Sequence, residues 1–291
     1  MSACMRTGSK QMKVLVTGVR GQLGYDVCRR LEARKVEHWG IDIQDCDLTD
    51  AAQTRSVITQ YHPDVVVHCA AYTAVNQAEE NEDLCRSVNA GGTRNVALAC
   101  LEIDAAMAYI STDYVFDGEG TEPFEIDASI APQSVYGRTK AEGETAVREI
   151  LTKAFIVRIA WVFGINGNNF VKTMLRLGKE KGSIDVVCDQ IGSPTYTDDL
   201  ARLLCDMIET EKYGTYHATN EGYCSWCEFA QAIMEEAGLK CEVRPILTSA
   251  YPSPAKRPLN SRLSKRSLDT AGFTRLPPWR DALHRYIEAL K

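Results

Sequence analysis

Tyr136 and Lys140 stand four residues apart in the stretch SVYGRTKAEGE (134–144). On a helix, that spacing puts both side chains on one face. A free phenol loses its proton near pH ~10, and a neighbouring ammonium favours the phenolate and lowers that value. A tyrosine tuned this way can donate a proton to a carbonyl oxygen. No other tyrosine in the chain is followed by a lysine four residues on. Thr112, which closes the apolar run AMAYIST (106–112), offers a hydroxyl for the same oxygen. Gly137, next to the tyrosine, would allow a ligand or strand to approach the helix start closely.

A second constellation lies near the amino terminus. KVLVTG (13–18) reads as a strand and runs into Gly18, Gly21 and Gly24, spaced G-x-x-G-x-x-G. Glycines between a first strand and a first helix let backbone approach a pyrophosphate, which the helix N-terminus then binds with its free N–H groups. Asp42 closes the second strand, where an acid accepts from the ribose 2′-hydroxyl of NAD. Arg20, inside the loop, argues for the 2′-phosphate of NADP instead, so the choice between NADH and NADPH stays open. Asp47 could reach the adenine edge or cap the helix that follows. Loop, hydroxyl, tyrosine and lysine together describe hydride transfer to a ketone.

These groups need a frame, and the sequence supplies one. Val- and Ile-rich runs at 13–18, 37–42, 64–70, 106–112 and 155–164 alternate with helical stretches at 22–31, 50–61, around 85–101 and from 134. Runs that do not alternate in polarity suit strands covered on both faces, and the strand–helix alternation implies an α/β fold, a Rossmann-like doubly wound parallel sheet. After Gly164 the regularity weakens: a helix is expected at 166–180, a strand at 184–190, a helix at 195–209 capped by Thr197, a strand at 214–219 and a helix at 226–237. We expect a Rossmann unit from 1–164 plus about 191–219, and a smaller mixed α/β unit from about 165–190 plus 220–291. A net charge of −6 with no basic run argues against nucleic acid. MSACMRTGSK lacks the apolar segment expected of a leader, so Met12 is expected to be either the natural start or an alternative one, and no run is long enough to span a membrane. Eleven scattered cysteines read as reduced thiols of a cytoplasmic protein. Cys224 and Cys227 have C-x-x-C spacing but no second pair for zinc, so Ser225 is expected to cap a helix and Cys227 to fill an apolar slot.

The glycine and Y-x-x-x-K motifs, in this order, resemble the extended short-chain dehydrogenase/reductases. Longer stretches narrow the likeness: GQLG (21–24), AAYTAV (70–75), STDYVFDG (111–118), YGRTKAEGE (136–144), WVFG (161–164), NNFVKTML (168–175) and DQIGSPTYTDDLA (189–201) are similar to the dTDP-4-dehydrorhamnose reductase family, over essentially Met12 to the C-terminus. The resemblance implies reduction of the C4 ketone of dTDP-4-dehydro-L-rhamnose by NADPH or NADH, the last step towards dTDP-L-rhamnose. It assigns catalysis to Tyr136, Lys140, Thr112 and Asp113. It places Gln22, Leu23, Leu48, Ala70, Ala71 and Tyr72 along the cofactor with the glycine loop, while Asn89 either contacts the cofactor or braces the active-site helix. Asp113, Trp161, Asn168, Asn169, Phe170, Gln190, Pro194 and Arg257 would face the dTDP-sugar. Some members take Mg2+ through carboxylates at a homodimer interface; those ligands find no match here, so no metal residue is assigned. Asn76 replaces an aspartate frequent in the family, with no consequence attached. Related epimerases and dehydratases are alternatives, as is a non-catalytic regulatory subunit, a role this fold also serves. A dehydratase would need a second acid after Asp113, where this chain has Tyr114.

Overall fold

The computed structural model describes residues 12–291; residues 1–11, with the expectation about a leader, fall outside it. Six strands form one sheet: β1 (Lys13–Thr17), β2 (Glu37–Ile41), β3 (Val65–His68), β4 (Ala106–Thr112), β5 (Ala154–Ile159) and β6 (Gly214–His217). Their order is β6-β5-β4-β3-β1-β2 and every neighbouring pair is parallel. Successive side chains leave a strand on opposite faces. Val14 and Val16 therefore join one apolar cluster with Val65, Val67 and Ile110, whereas Leu15 joins another with Val66, Met107 and Ile156. Helices Gln22–Ala33 and Thr197–Ile208 cover the first face; Ala51–Tyr61, Thr93–Glu102 and Val135–Ile150 cover the second. This is the doubly wound α/β fold, with its crevice at the carboxyl ends of β1 and β3, where the strand order reverses.

The helix expected around 85–101 is broken. Glu82–Arg86 and Thr93–Glu102 are α-helical, but Ser87–Gly92 between them is a π-helix. The wider turn carries Asn89 inward, where its side-chain oxygen accepts from the Tyr72 backbone N–H at 2.8 Å and its Nδ2 donates to Thr139 Oγ1 at 3.1 Å. A π-helical turn is tolerated where such tertiary bonds replace the regular ladder. Gly143 fits the same crowding: a Cβ there would lie 2.3 Å from the Tyr109 hydroxyl and 2.8 Å from the Asn89 carbonyl oxygen.

A separate apolar cluster forms from the carboxyl-terminal part, including Val171, Met174, Ile184, Phe229, Ile233, Leu283 and Tyr286. The strand expected at 184–190 spans Ser183–Val187 and pairs in parallel with Glu242–Ile246. Phe163 and Tyr196 pack in this second cluster, while Leu268, Phe273 and Leu276 return to the sheet. We keep the two-unit division as a proposal, with those crossings added. Ser225 caps Trp226–Glu236 through a reciprocal bond with Glu228. Thr197 does not cap its helix: Tyr196 holds that position, and the Thr197 hydroxyl donates to buried Asp26. The ten cysteines among the described residues are all free, with Cys224 and Cys227 in the second cluster. Among the described residues, no helix is long and apolar enough to cross a membrane.

Candidate active site

A cleft of about 1010 Å³ runs across the carboxyl ends of the strands, between the sheet and the second cluster. Every residue that the sequence assigns to catalysis, cofactor or substrate lines it except Asn89, Gln190 and Pro194.

The glycine loop forms one end. Gly18 has φ +70°, and a Cβ on it would sit 2.7 Å from the Ala70 nitrogen. A Cβ on Gly24 would sit 2.4 Å from the Gly18 carbonyl oxygen. Only glycine lets this turn press on both β3 and the helix. The helix Gln22–Ala33 has Gly21 at its N-cap and no side chain capping it, so its first-turn N–H groups remain available to an anion. These features fit a dinucleotide pyrophosphate. The Asp42 carboxylate accepts from the Arg20 backbone N–H at 2.9 Å and from Ile43 N at 2.8 Å, which folds the loop beside β2. Asp47 caps nothing: it accepts from the backbone and hydroxyl of Thr49, bonds that hold its carboxyl below the ordinary range, and Asp50 caps Ala51–Tyr61. Asn89 takes the bracing alternative.

The helix Val135–Ile150, which carries Tyr136 and Lys140, is capped by Ser134, whose hydroxyl accepts from Gly137 N at 3.1 Å. Gly137 is explained by the turn beside it, because a Cβ would lie 2.2 Å from the Tyr114 carbonyl oxygen. Tyr136 is half-buried at the cleft and Lys140 is buried one turn on. The expectation that Lys140 lowers the Tyr136 pKa is not met in this geometry. Burial pushes the phenol up, against a hydrogen bond with Thr112 that favours the phenolate. The Lys140 ammonium instead lies 4.1 Å from the centre of the Tyr109 ring, and burial lowers its own pKa to about 7 from 10.5, with Glu144 opposing. Glu144, a further turn along, accepts from Ser111 Oγ at 2.6 Å and from both Nε and Nη2 of buried Arg158 at 2.8 Å. One carboxylate thus fixes the helix to β4 and β5. The Thr112 hydroxyl donates to Asp113 Oδ1 at 2.9 Å. Asp113 Oδ2 is buried without a partner, and burial raises that carboxyl to about 6.

The opposite end is assembled from distant segments. Arg257 donates to the Tyr114 hydroxyl at 3.0 Å and to Asn76 Oδ1 at 2.8 Å. Asn76 therefore has a consequence: as a neutral acceptor it orients the guanidinium without cancelling its charge. Asn168 is exposed at the cleft. Asn169 lines it too, but its polar atoms are already used: Oδ1 accepts from Lys172 N as a helix cap, and Nδ2 donates to Gln22 Oε1, Gly164 O and the Tyr286 hydroxyl. Gln190 is buried and donates to Thr248, and Pro194 is buried. Both belong to the support of this end. Sequence reasoning missed Trp226, which lines the cleft beside Trp161 and Phe170; its position at a helix start beside two cysteines gave no chemical cue. Among the described residues, no group of three or more His, Cys, Asp or Glu could hold a metal ion.

The family model described as the RmlD substrate binding domain matches residues 12–291. The chain belongs to this family. Among RmlD relatives, the spore coat polysaccharide biosynthesis protein SpsK of Bacillus subtilis (strain 168) is 42% identical, the match covering 95% of this chain and 97% of the relative. A dTDP-4-dehydrorhamnose reductase of Mycobacterium tuberculosis (strain ATCC 25618 / H37Rv) is 41% identical over 95% and 93% of the two chains. The crystal structure of a dTDP-4-dehydrorhamnose reductase from Bacillus anthracis str. Ames in complex with NADP superposes with a TM-score of 0.94, at 42% identity, covering 96% of this chain and 100% of that one.

Proposed function

We propose that this RmlD-family chain is an NAD(P)H-dependent reductase of the C4 ketone of dTDP-4-dehydro-L-rhamnose, yielding dTDP-L-rhamnose. The observation that carries the reading is convergence: the glycine loop, Thr112, Tyr136 and Lys140 line one cleft, in a chain about 40% identical to enzymes that bear that name.

When bound, the reduced nicotinamide supplies the hydride. The glycine loop and the first helix N-terminus hold its pyrophosphate, and Lys140 holds the adjoining ribose. Burial keeps the Tyr136 phenol protonated, the form that a reduction consumes, and Tyr136 gives that proton to the oxygen as it becomes an alkoxide. The Thr112 hydroxyl turns from Asp113 to the substrate oxygen, while its bond from Tyr114 N, at 3.2 Å, holds the side chain in place. Asp113 Oδ2 then accepts from a sugar hydroxyl, which removes the cost of a buried unpaired carboxylate oxygen. Arg257 meets the diphosphate. Arg20 favours NADPH, since a guanidinium beside the ribose pairs with a 2′-phosphate. The proposal includes no metal.

The test is an assay of NADPH and NADH oxidation with dTDP-4-dehydro-L-rhamnose, with the product identified by mass and NMR. Stoichiometric dTDP-L-rhamnose, formed faster with NADPH, is expected. Dinucleotide binding without turnover would overturn the reading in favour of a non-catalytic subunit.

A further inference from the structure

Trp161 has φ +50°. That is a left-handed backbone conformation which a bulky residue adopts only when its surroundings impose it, characteristically at functional sites. Two neighbours impose it here. The Trp226 indole lies face to face with Trp161, ring centroids 3.7 Å apart and planes 13° from parallel, and Phe170 packs on Trp226 with centroids 4.5 Å apart. On another side stands Gly192, where a Cβ would lie 2.8 Å from Trp161 Cε2 and 3.0 Å from Ser261 Cβ. On the Gly192 side the chain has left room for the indole and nothing more, while the cleft side stays open. Thr112 pairs with Ile159 in the sheet register, so Trp161, two residues further on, stands at the reacting end of the cleft. All three aromatic residues line that cleft.

We propose that Trp226 is a positioning residue for the sugar: stacked behind Trp161, it holds that indole as a fixed wall against which the apolar face of the pyranose ring packs. This rests on the keto-sugar reading above. The wall acts on the sugar alone, because the groups proposed for the pyrophosphate and diphosphate lie on other segments. It can be disturbed independently from two sides. Trp226→Ala removes the support, and Gly192→Ala pushes on the indole with a new methyl group.

The experiment is calorimetric titration of the purified protein with dTDP-L-rhamnose, with dTDP and with NADP+, alongside KM and kcat for the keto-sugar. Trp226→Ala and Gly192→Ala should each weaken dTDP-L-rhamnose by about tenfold, the scale of a lost aromatic pair. dTDP and NADP+ should change by less than about twofold, and Trp226→Phe should restore most of the loss. KM should rise more than kcat falls. Unchanged dTDP-L-rhamnose binding in both disrupted variants would overturn the proposal. So would an equal loss of all three ligands, which would mark a general structural defect. If Trp226→Ala fails to fold, Trp226→Phe and Gly192→Ala decide the matter by the same titrations. Wild-type protein that binds dTDP-L-rhamnose but reduces no keto-sugar would count against the reductase reading and leave the wall to be judged on binding.

Discussion

The two ends of the cleft are built on opposite plans. At the end proposed for the dinucleotide the candidate groups sit on regular elements: a glycine turn between β1 and its helix, the end of β4, and one face of a single long helix. Their positions are set by short-range periodicity and by one buried ion pair. At the sugar end the groups come from residues 76, 161, 170, 226 and 257, and are held by contacts between segments far apart in sequence. A rigid scaffold can serve any ketone, whereas the choice of sugar is left to segments that can vary without disturbing the sheet.

Four measurements would break or sharpen that contrast. Tyr136→Phe should lower kcat by about a thousandfold, within the range for loss of a general acid, with dinucleotide affinity nearly unchanged; a normal rate would remove Tyr136 from proton donation. Glu144→Ala should cost about 3–5 kcal/mol in denaturant unfolding, because Arg158 is left buried without its carboxylate. Adding Arg158→Met should recover part of that, and a single variant as stable as wild type would show that the ion pair does not set the frame. Lys140→Met tests the pH dependence. The folded-state pKa lies near 7, below the ordinary 10.5, so between these values the unfolded chain binds more protons and ligand-free stability rises with pH. Below about 7 the full penalty of the buried ammonium remains. The rise should reach at most ~2 kcal/mol between about pH 7 and 8.5, and the methionine variant should flatten it; an unaltered slope would refute the assignment. Arg20→Ala should weaken NADPH by about tenfold and NADH hardly at all. Equal losses would take Arg20 away from the 2′-phosphate.

What could be read from the chain alone follows the same division. The middle of the parallel sheet announces itself because β1, β3, β4 and β5 are largely apolar, buried runs, whereas the two edge strands, EHWGI and GTYH, are not. Gly18, Tyr136 and Lys140 announce their geometry through spacing within one turn or one helix. Asn89 was open to two roles because a π-helical turn, invisible to a regular helical pattern, decides which way it faces. Asn169 and Gln190 carry amides suited to a ligand, yet Asn169 is taken by a helix N-terminus and its neighbours, and Gln190 is buried and donates to Thr248, partners that only the folded chain brings close. Trp226 went unnoticed because its partner, Trp161, lies 65 positions earlier in the sequence. Lys140 does not bring the Tyr136 phenol down, for an electrostatic reason: spacing gives proximity, but desolvation, which acts on both groups at once, depends on everything packed around them.

The amides that bridge the cleft have a thermodynamic corollary. Asn166 Nδ2 donates to the Arg20 carbonyl oxygen at 2.7 Å, and Asn169 reaches the side chain of Gln22, so the loop proposed to hold the dinucleotide is tethered to the stretch proposed to face the sugar nucleotide. If the two ligands bind as proposed, any stiffness the dinucleotide imparts through those tethers is shared with the sugar nucleotide, and linkage requires that the coupling be equal in both directions. Their combined binding free energy is then the same whichever comes first.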